Sequence, residues 1–342
     1  MKTNGGQSRR FRVAAGAPRR AAVLVLVLAV MSALSLLALG LCHRARLELK
    51  MARIRSEQVR SHYLAIGGLQ RALLAIRGDA DEKIDHFGEA WRLATSAEQE
   101  GLLTVAGESP GEERGGGDDA RVYYAVSDEE GLLNVNTGSP ATWMILPGMD
   151  ETIASAIPDW QDADESPMRG GAESSYYERL DEPYRAKNEP MALIWELALV
   201  KGVEWTALVG AGPGAAGLVD RFTVCGDGKI NLNTASAEVL STLPGIGPEG
   251  ARALAEWRVG SDGRPFTADD RFFSAGGDVV QVPGLTERQA ELLMEYGSVS
   301  TRHFRVYVEA RVRPEGRPYR LSAGVRRNDG ELRLIWVRPM SF

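Results

Sequence analysis

The chain has 342 residues, of which 44% are hydrophobic, 25% charged and 7% aromatic, with a net charge of −6. Such a composition supplies a real core and excludes a disordered chain, and the length allows two or three compact units. Two cysteines, Cys42 and Cys225, exclude the disulfide framework of a small secreted domain.

Residues 1–20 hold six basic side chains and no acid. From Ala21 to Cys42 no charge occurs, and 22 helical residues span about 33 Å, enough for a hydrocarbon core of roughly 30 Å. The stretch exceeds the apolar region of a secretory signal peptide, so it reads as a retained anchor. Residues 43–62 also carry six Lys and Arg. The flanking charge therefore does not set the orientation, and a short inner N-terminus is the favoured reading. Leu47, Met51, Ile54, Val59, Tyr63, Ile66, Leu69, Leu73 and Ile76 continue a helical pattern to Arg77. Gly67-Gly68 would weaken that helix or admit another one closely.

Residues 107–120 form a Gly- and acid-rich loop. Strand signals follow at Val122–Val126 and Leu132–Val135 around an Asp128–Gly131 turn, which reads as a hairpin. The segment Gly131-Leu132-Leu133-Asn134-Val135-Asn136-Thr137 returns as Gly228-Lys229-Ile230-Asn231-Leu232-Asn233-Thr234, 97 residues on. Leu146-Pro147-Gly148 matches Leu243-Pro244-Gly245, and Trp160 matches Trp257. A strand, an Asn-Thr cap and two helices joined by a Pro-Gly turn are thus expected twice, as a scaffold. Phe222–Val224 and Ile230–Leu232 repeat the expected hairpin, and Gly202-Val203-Glu204 and Gly284-Leu285-Thr286 look like degenerate Pro-Gly turns. The last forty residues predict strands at Phe304–Val312, Tyr319–Arg326 and Leu332–Val337, the last two joined by Asn328-Asp329-Gly330.

These elements give an α+β fold. A leader (1–20), a transmembrane helix (21–42) and a helical stalk (43–78) precede an antiparallel sheet domain in two parts, 79–136 and 221–342. An all-α domain is inserted at 137–220, and a helix-hairpin-helix-like segment lies at 235–296.

The insertion contains Asp159-Trp160-Gln161-Asp162-Ala163-Asp164-Glu165, followed by Glu173 and Asp181. Alternate carboxylates on an irregular loop suit calcium, which takes six to eight oxygens, whereas zinc would call for Cys or His. A solvated acidic turn is the alternative. Pro244-Gly245-Ile246-Gly247-Pro248 resembles the hairpin of DNA binders. However, residues 120–215 hold sixteen acids against six bases, which repels DNA. The four histidines are scattered, and no nucleophile elbow, phosphate loop or dinucleotide fingerprint occurs. The chain therefore reads as a non-enzymatic subunit without a small-molecule substrate, with a membrane-anchored DNA receptor as the alternative.

The order of anchor, long helix, DEEGLLNVNT, the Asp159–Asp164 run, Gly171-Ala172-Glu173, Tyr176-Tyr177, PYRAKNEPM and INLNTASAEVLSTLPGIG closely resembles the minor pseudopilin K family of type II secretion systems. The resemblance covers 21–342 and implies a pilin-like fold with a helical insertion. It further implies a place at the tip of a periplasmic fibre with minor pseudopilins I and J, in export of folded proteins across the outer membrane. The chain would cross the inner membrane once, with its C-terminal domain in the periplasm. Family members bind calcium in the insertion, which makes Asp159, Asp162, Asp164, Glu165, Glu173 and Asp181 the expected ligands. Leader cleavage would fall between Ala21 and Ala22 and place Leu26 fifth in the mature chain, where other pseudopilins carry Glu. Ala21 departs from the glycine usual before that cut.

Overall fold

The computed structural model describes residues 17–340 except 80, 90, 92–119, 213, 266, 268 and 314. The basic segment 1–16 and nearly all of the loop 107–120 lie outside the described residues. By contacts the chain falls into two compact units, Met1–Val59 and Arg60–Phe342.

One helix, α1 (Ala17–Arg77), contains the whole apolar stretch. It is long and apolar enough to cross a membrane once, and its apolar side chains from Val23 to Leu41 are exposed. The part of α1 within the second unit buries Ala65, Leu69, Ala72 and Ile76, spaced four, three and four residues apart along one stripe.

That stripe packs on a four-stranded antiparallel sheet of order β1-β6-β7-β8. The strands are β1 (Arg121–Asp128), β6 (His303–Arg311), β7 (Tyr319–Asn328) and β8 (Glu331–Met340). Period-2 alternation sends Val122, Tyr124 and Val126, with Phe304, Val306, Val308, Leu321, Ala323 and Val325, to the helix side. A Cβ on Gly68 would stand 2.6 Å from Val122 Cγ1 and 2.7 Å from Val308 Cγ1. Gly68 therefore admits the sheet, and not a second helix as its position suggested, while nothing comes within 4 Å of a Cβ on Gly67. Asp329 and Gly330 both have positive φ, 48° and 80°, as a two-residue turn matched to strand twist requires.

β1 and β6 are neighbours in register from Arg121↔Arg311 to Asp128↔Phe304, yet residues 129–302 lie between them in sequence. Neither expected hairpin forms there. Instead β2 (Leu133–Asn134) pairs in parallel with β3 (Phe222–Thr223), and β4 (Ile230–Asn231) with β5 (Gly297–Ser298). Parallel partners cannot be joined by a tight turn, so each ladder needs a long crossover. The inserted material is thus two tandem helical lobes, each entered and left by adjacent short strands.

In the first lobe, α2 (Pro140–Trp143), the Gly148 turn and α3 (Glu151–Gln161) form one hairpin. It is followed by α4 (Ser174–Tyr177), a 3-10 turn at Ile194–Leu199, Gly202 and α5 (Trp205–Val209). In the second, α6 (Ala237–Ser241), the Gly245 turn and α7 (Gly247–Arg258) are followed by a 3-10 turn at Gly276–Gln281, Gly284 and α8 (Glu287–Tyr296). Both lobes share one core, from Trp143, Ile157 and Leu197 through Phe222 to Leu254, Phe273 and Leu293.

The repeated Asn-x-Asn-Thr segment organises both lobes in the same way. The first Asn bends the chain: Asn134 Oδ1 accepts from Asn136 N at 2.9 Å, and Asn231 Oδ1 from Asn233 N at 3.0 Å. The second clips a distant loop with both ends of its amide. Asn136 donates to Met191 O at 3.1 Å and accepts from Met191 N at 2.8 Å; Asn233 does so with Phe273 at 3.0 and 2.7 Å. The copies also meet each other reciprocally. A Cβ on Gly131 would lie 2.8 Å from Thr234 Oγ1, and one on Gly228 2.5 Å from Thr137 Oγ1. Asn233→Ala is expected to cost about 2–4 kcal/mol by orphaning the N–H and C=O of Phe273, measured by urea unfolding.

Candidate metal centre

Helix α3 starts at Asp150, whose carboxylate caps Ile153 N at 2.8 Å, and ends where Asp162 turns extended at ψ 166°. Asp159 lies on the inward face of its last turn and is fully buried, while Asp162 is exposed just beyond it. The following loop folds back: Met168 N donates to both oxygens of Asp159 at 3.1 Å, and Lys201 Nζ donates to Gly170 O and Gly171 O at 3.0 Å. A side chain on Gly171 would overlap the Asp159 carboxylate, so glycine is required at this approach. The return delivers Glu173, 1% exposed, to the start of α4.

Asp159, Asp162 and Glu173 each place a carboxylate oxygen within 4.8 Å of the others. Oxygens bound to one calcium at about 2.3–2.6 Å stand no more than about 5 Å apart, so the three fit a single ion. Neither oxygen of Glu173 has a hydrogen-bond partner. Burial, and then the charges of Asp159, Asp162, Glu165 and Asp164, push its carboxyl up to about 7. Asp159 is raised for the same reasons, against the opposing N–H of Met168. Two buried carboxylates facing a third, with orphaned oxygens, form a donor set that a hard cation satisfies.

Asp164 and Glu165 are exposed and act on Glu173 through charge; Asp164 also accepts from Ser166 N at 2.7 Å. Asp181 is exposed on the turn after α4 and is not in the group. A residue missed in the sequence, Asn188, holds φ at 53°, donates its N–H to Trp160 O at 3.0 Å and leaves Oδ1 buried without a partner. Its only signal was a place in the PYRAKNEPM segment. Ala21 and Ala22 lie within α1.

A second acidic group, Asp79, Asp85 and Glu89, was also missed. Arg327 already sits in it, 2.5 Å from Asp79 Oδ2 and 2.5 Å from Asp85 Oδ2. At the Pro244–Pro248 hairpin, Gln289 Nε2 donates to Ile246 O at 3.1 Å, and the half-buried Arg258 donates to Leu232 O at 3.0 Å. That hairpin is used in packing.

A chain of the GspK–GspI–GspJ complex from the type 2 secretion system of enterotoxigenic Escherichia coli has the same fold, with a TM-score of 0.62, 17% identity, and 85% of this chain and 99% of that chain covered. Fold and site thus define an antiparallel sheet domain with inserted helical lobes, in a chain that also has one helix long and apolar enough to cross a membrane. The profile described as "Type II secretion system (T2SS), protein K" matches residues 142–209, which include the acidic centre, and a helix-hairpin-helix motif matches 227–267. Type II secretion system protein K of Pseudomonas aeruginosa is 26% identical over 91% of this chain and 90% of its own length, and that of Klebsiella pneumoniae is 21% identical over 67% and 71%. The chain is thus similar to type II secretion system protein K in its matched segment, along most of its length and in its fold.

Proposed function

We propose that this chain is a minor pseudopilin that starts or caps the type II secretion fibre, assembles there with minor pseudopilins I and J, and catalyses no reaction. One observation carries the reading: residues 129–302 stand as two helical lobes between adjacent strands of a pilin-like sheet. In a fibre packed by anchor helices, a head widened in this way leaves no room for a further subunit above it. On this reading the apolar helix crosses the inner membrane once and the head lies in the periplasm, a topology the length and composition of α1 support. Calcium would be held by Asp159, Asp162 and Glu173, and its charge would cancel their mutual repulsion and tie α3 to the loop that returns to α4.

The test is assembly of the full chain in detergent with minor pseudopilins I and J from the same cell. A stoichiometric complex, and loss of secretion when the chain is deleted, are expected. Duplex DNA binding that weakens steeply with salt, with no such complex, would instead favour the receptor reading.

A further inference from the structure

The sheet has an open edge at β8. Its ten residues pair only with β7, so their outward N–H and C=O groups have no ladder partner among the described residues. Natural edges are blunted by short length, lysines, proline or a covering element. Here Leu334, Ile335 and Val337 are 40%, 49% and 44% exposed; the pairing to β7 shifts register at Ile335, and Pro339 interrupts the far end. Left bare, such an edge is a template for adding another strand.

Beside β8, a groove of about 740 Å³ runs between the outer face of the sheet and the first inserted lobe. Trp195 and Trp205 form one wall, stacked at 6.3 Å, and Trp205 is 61% exposed. Trp336, lying over Gly324, forms the other. A polar hollow shares Ile335 and His303 with this groove and is lined by Lys229, Arg302 and Arg326, three cations against the two acids Glu130 and Asp227. None of these three cations has an ion-pair partner among the described residues.

We propose that an extended, acid-flanked strand of a neighbouring pseudopilin adds to β8, its apolar side chains entering between the tryptophans and its acids meeting Lys229, Arg302 and Arg326. The inference rests on the functional reading above and names the surface used. Backbone pairing supplies affinity in such strand addition, and alternate side chains and complementary charge supply register. A neighbour anchored by its own helix in the same membrane presents its strand at high effective concentration, which a freely diffusing protein does not.

The experiment places a photo-crosslinking residue at Ile335, with Val280, 67% exposed, as control, in the full chain co-expressed with minor pseudopilins I and J. It also reverses the rim with Lys229→Glu, Arg302→Glu and Arg326→Glu together. A crosslink from position 335 to I or J, none from 280, and about tenfold weaker assembly of the triple variant at an unchanged melting midpoint are expected. A complex that assembles with no crosslink from 335 and undiminished affinity in the triple variant overturns the groove and leaves the assembly reading standing. Crosslinks only to an exported protein overturn it equally. Failure of the wild-type chain to assemble with I and J overturns both readings.

Discussion

On the proposed calcium reading, chelator is expected to lower the melting midpoint of the full-length protein by roughly 5–10 °C. A ligand bound only by the folded state contributes about 4 kcal/mol at a thousandfold excess over its Kd, and about 2 °C per kcal/mol is typical of a domain this large. The effect is large because the metal-free centre is costly. Glu173 is buried with neither oxygen hydrogen-bonded, and Asp159 and Asp162 stand within 4.8 Å. Differential scanning fluorimetry with millimolar calcium and then with excess chelator gives the shift. Glu173→Gln removes one charge at nearly constant shape and is expected to abolish most of the response. Asp181→Asn, outside the cluster, is expected to keep it. Equal chelator responses in wild type and Glu173→Gln would refute the centre.

The elements legible in sequence were those set by local chemistry. The anchor follows from 22 uncharged residues, and β6, β7 and β8 follow from alternation and the Asp329-Gly330 turn, close to their expected limits. The hairpins failed because their real partners are remote. The Asp128–Gly131 turn suggested that the chain doubles back, but Glu129 N donates to His303 O at 2.9 Å and Asn231 N to Glu130 O at 2.7 Å. Two-residue parallel ladders have no periodicity to detect. The repeat itself was visible, whereas the task of its second Asn was not, since Met191 and Phe273 carry no mark of being clipped.

The acidic run was legible as a run. Which of its members meet was not, because Asp159 is separated from Asp164 by burial rather than by residue type. A carboxylate on the inward face of a helix end and another after a Gly-Gly return converge, while those on the loop crest between them face water. The Arg327 group was wholly hidden: its arginine and Asp79 are 248 residues apart, and neither belongs to a motif.

Arg327→Met is expected to destabilise the second unit by about 3–5 kcal/mol, the usual cost of removing one partner of a buried ion pair. The guanidinium is 3% exposed, contacts Asp79 and Asp85 at 2.5 Å each, donates to Thr301 O at 2.9 Å and lies 4.9 Å over the Phe304 ring. It joins the segment after α1 to β7 and to the strand entering β6. Burial already pushes Asp85 up to about 7, with Arg327 the main force holding it down. Glu89 is raised to about 8 by burial and by the neighbouring Asp85 and Asp79. Without the arginine, Asp85 moves further up. The unfolded chain releases that proton above the ordinary aspartate value of 3.8, while the folded chain keeps it to neutral pH or beyond. The folded state then binds more protons across this window, so the variant loses stability as pH rises. Urea unfolding is expected to show a gap from wild type that is smaller at pH 5 than at pH 8. Arg327→Lys, with one compact charge for two carboxylates, is expected to fall between them. A gap that is the same at both pH values would mean that Arg327 acts through packing on Phe304 and not by holding Asp85 ionised.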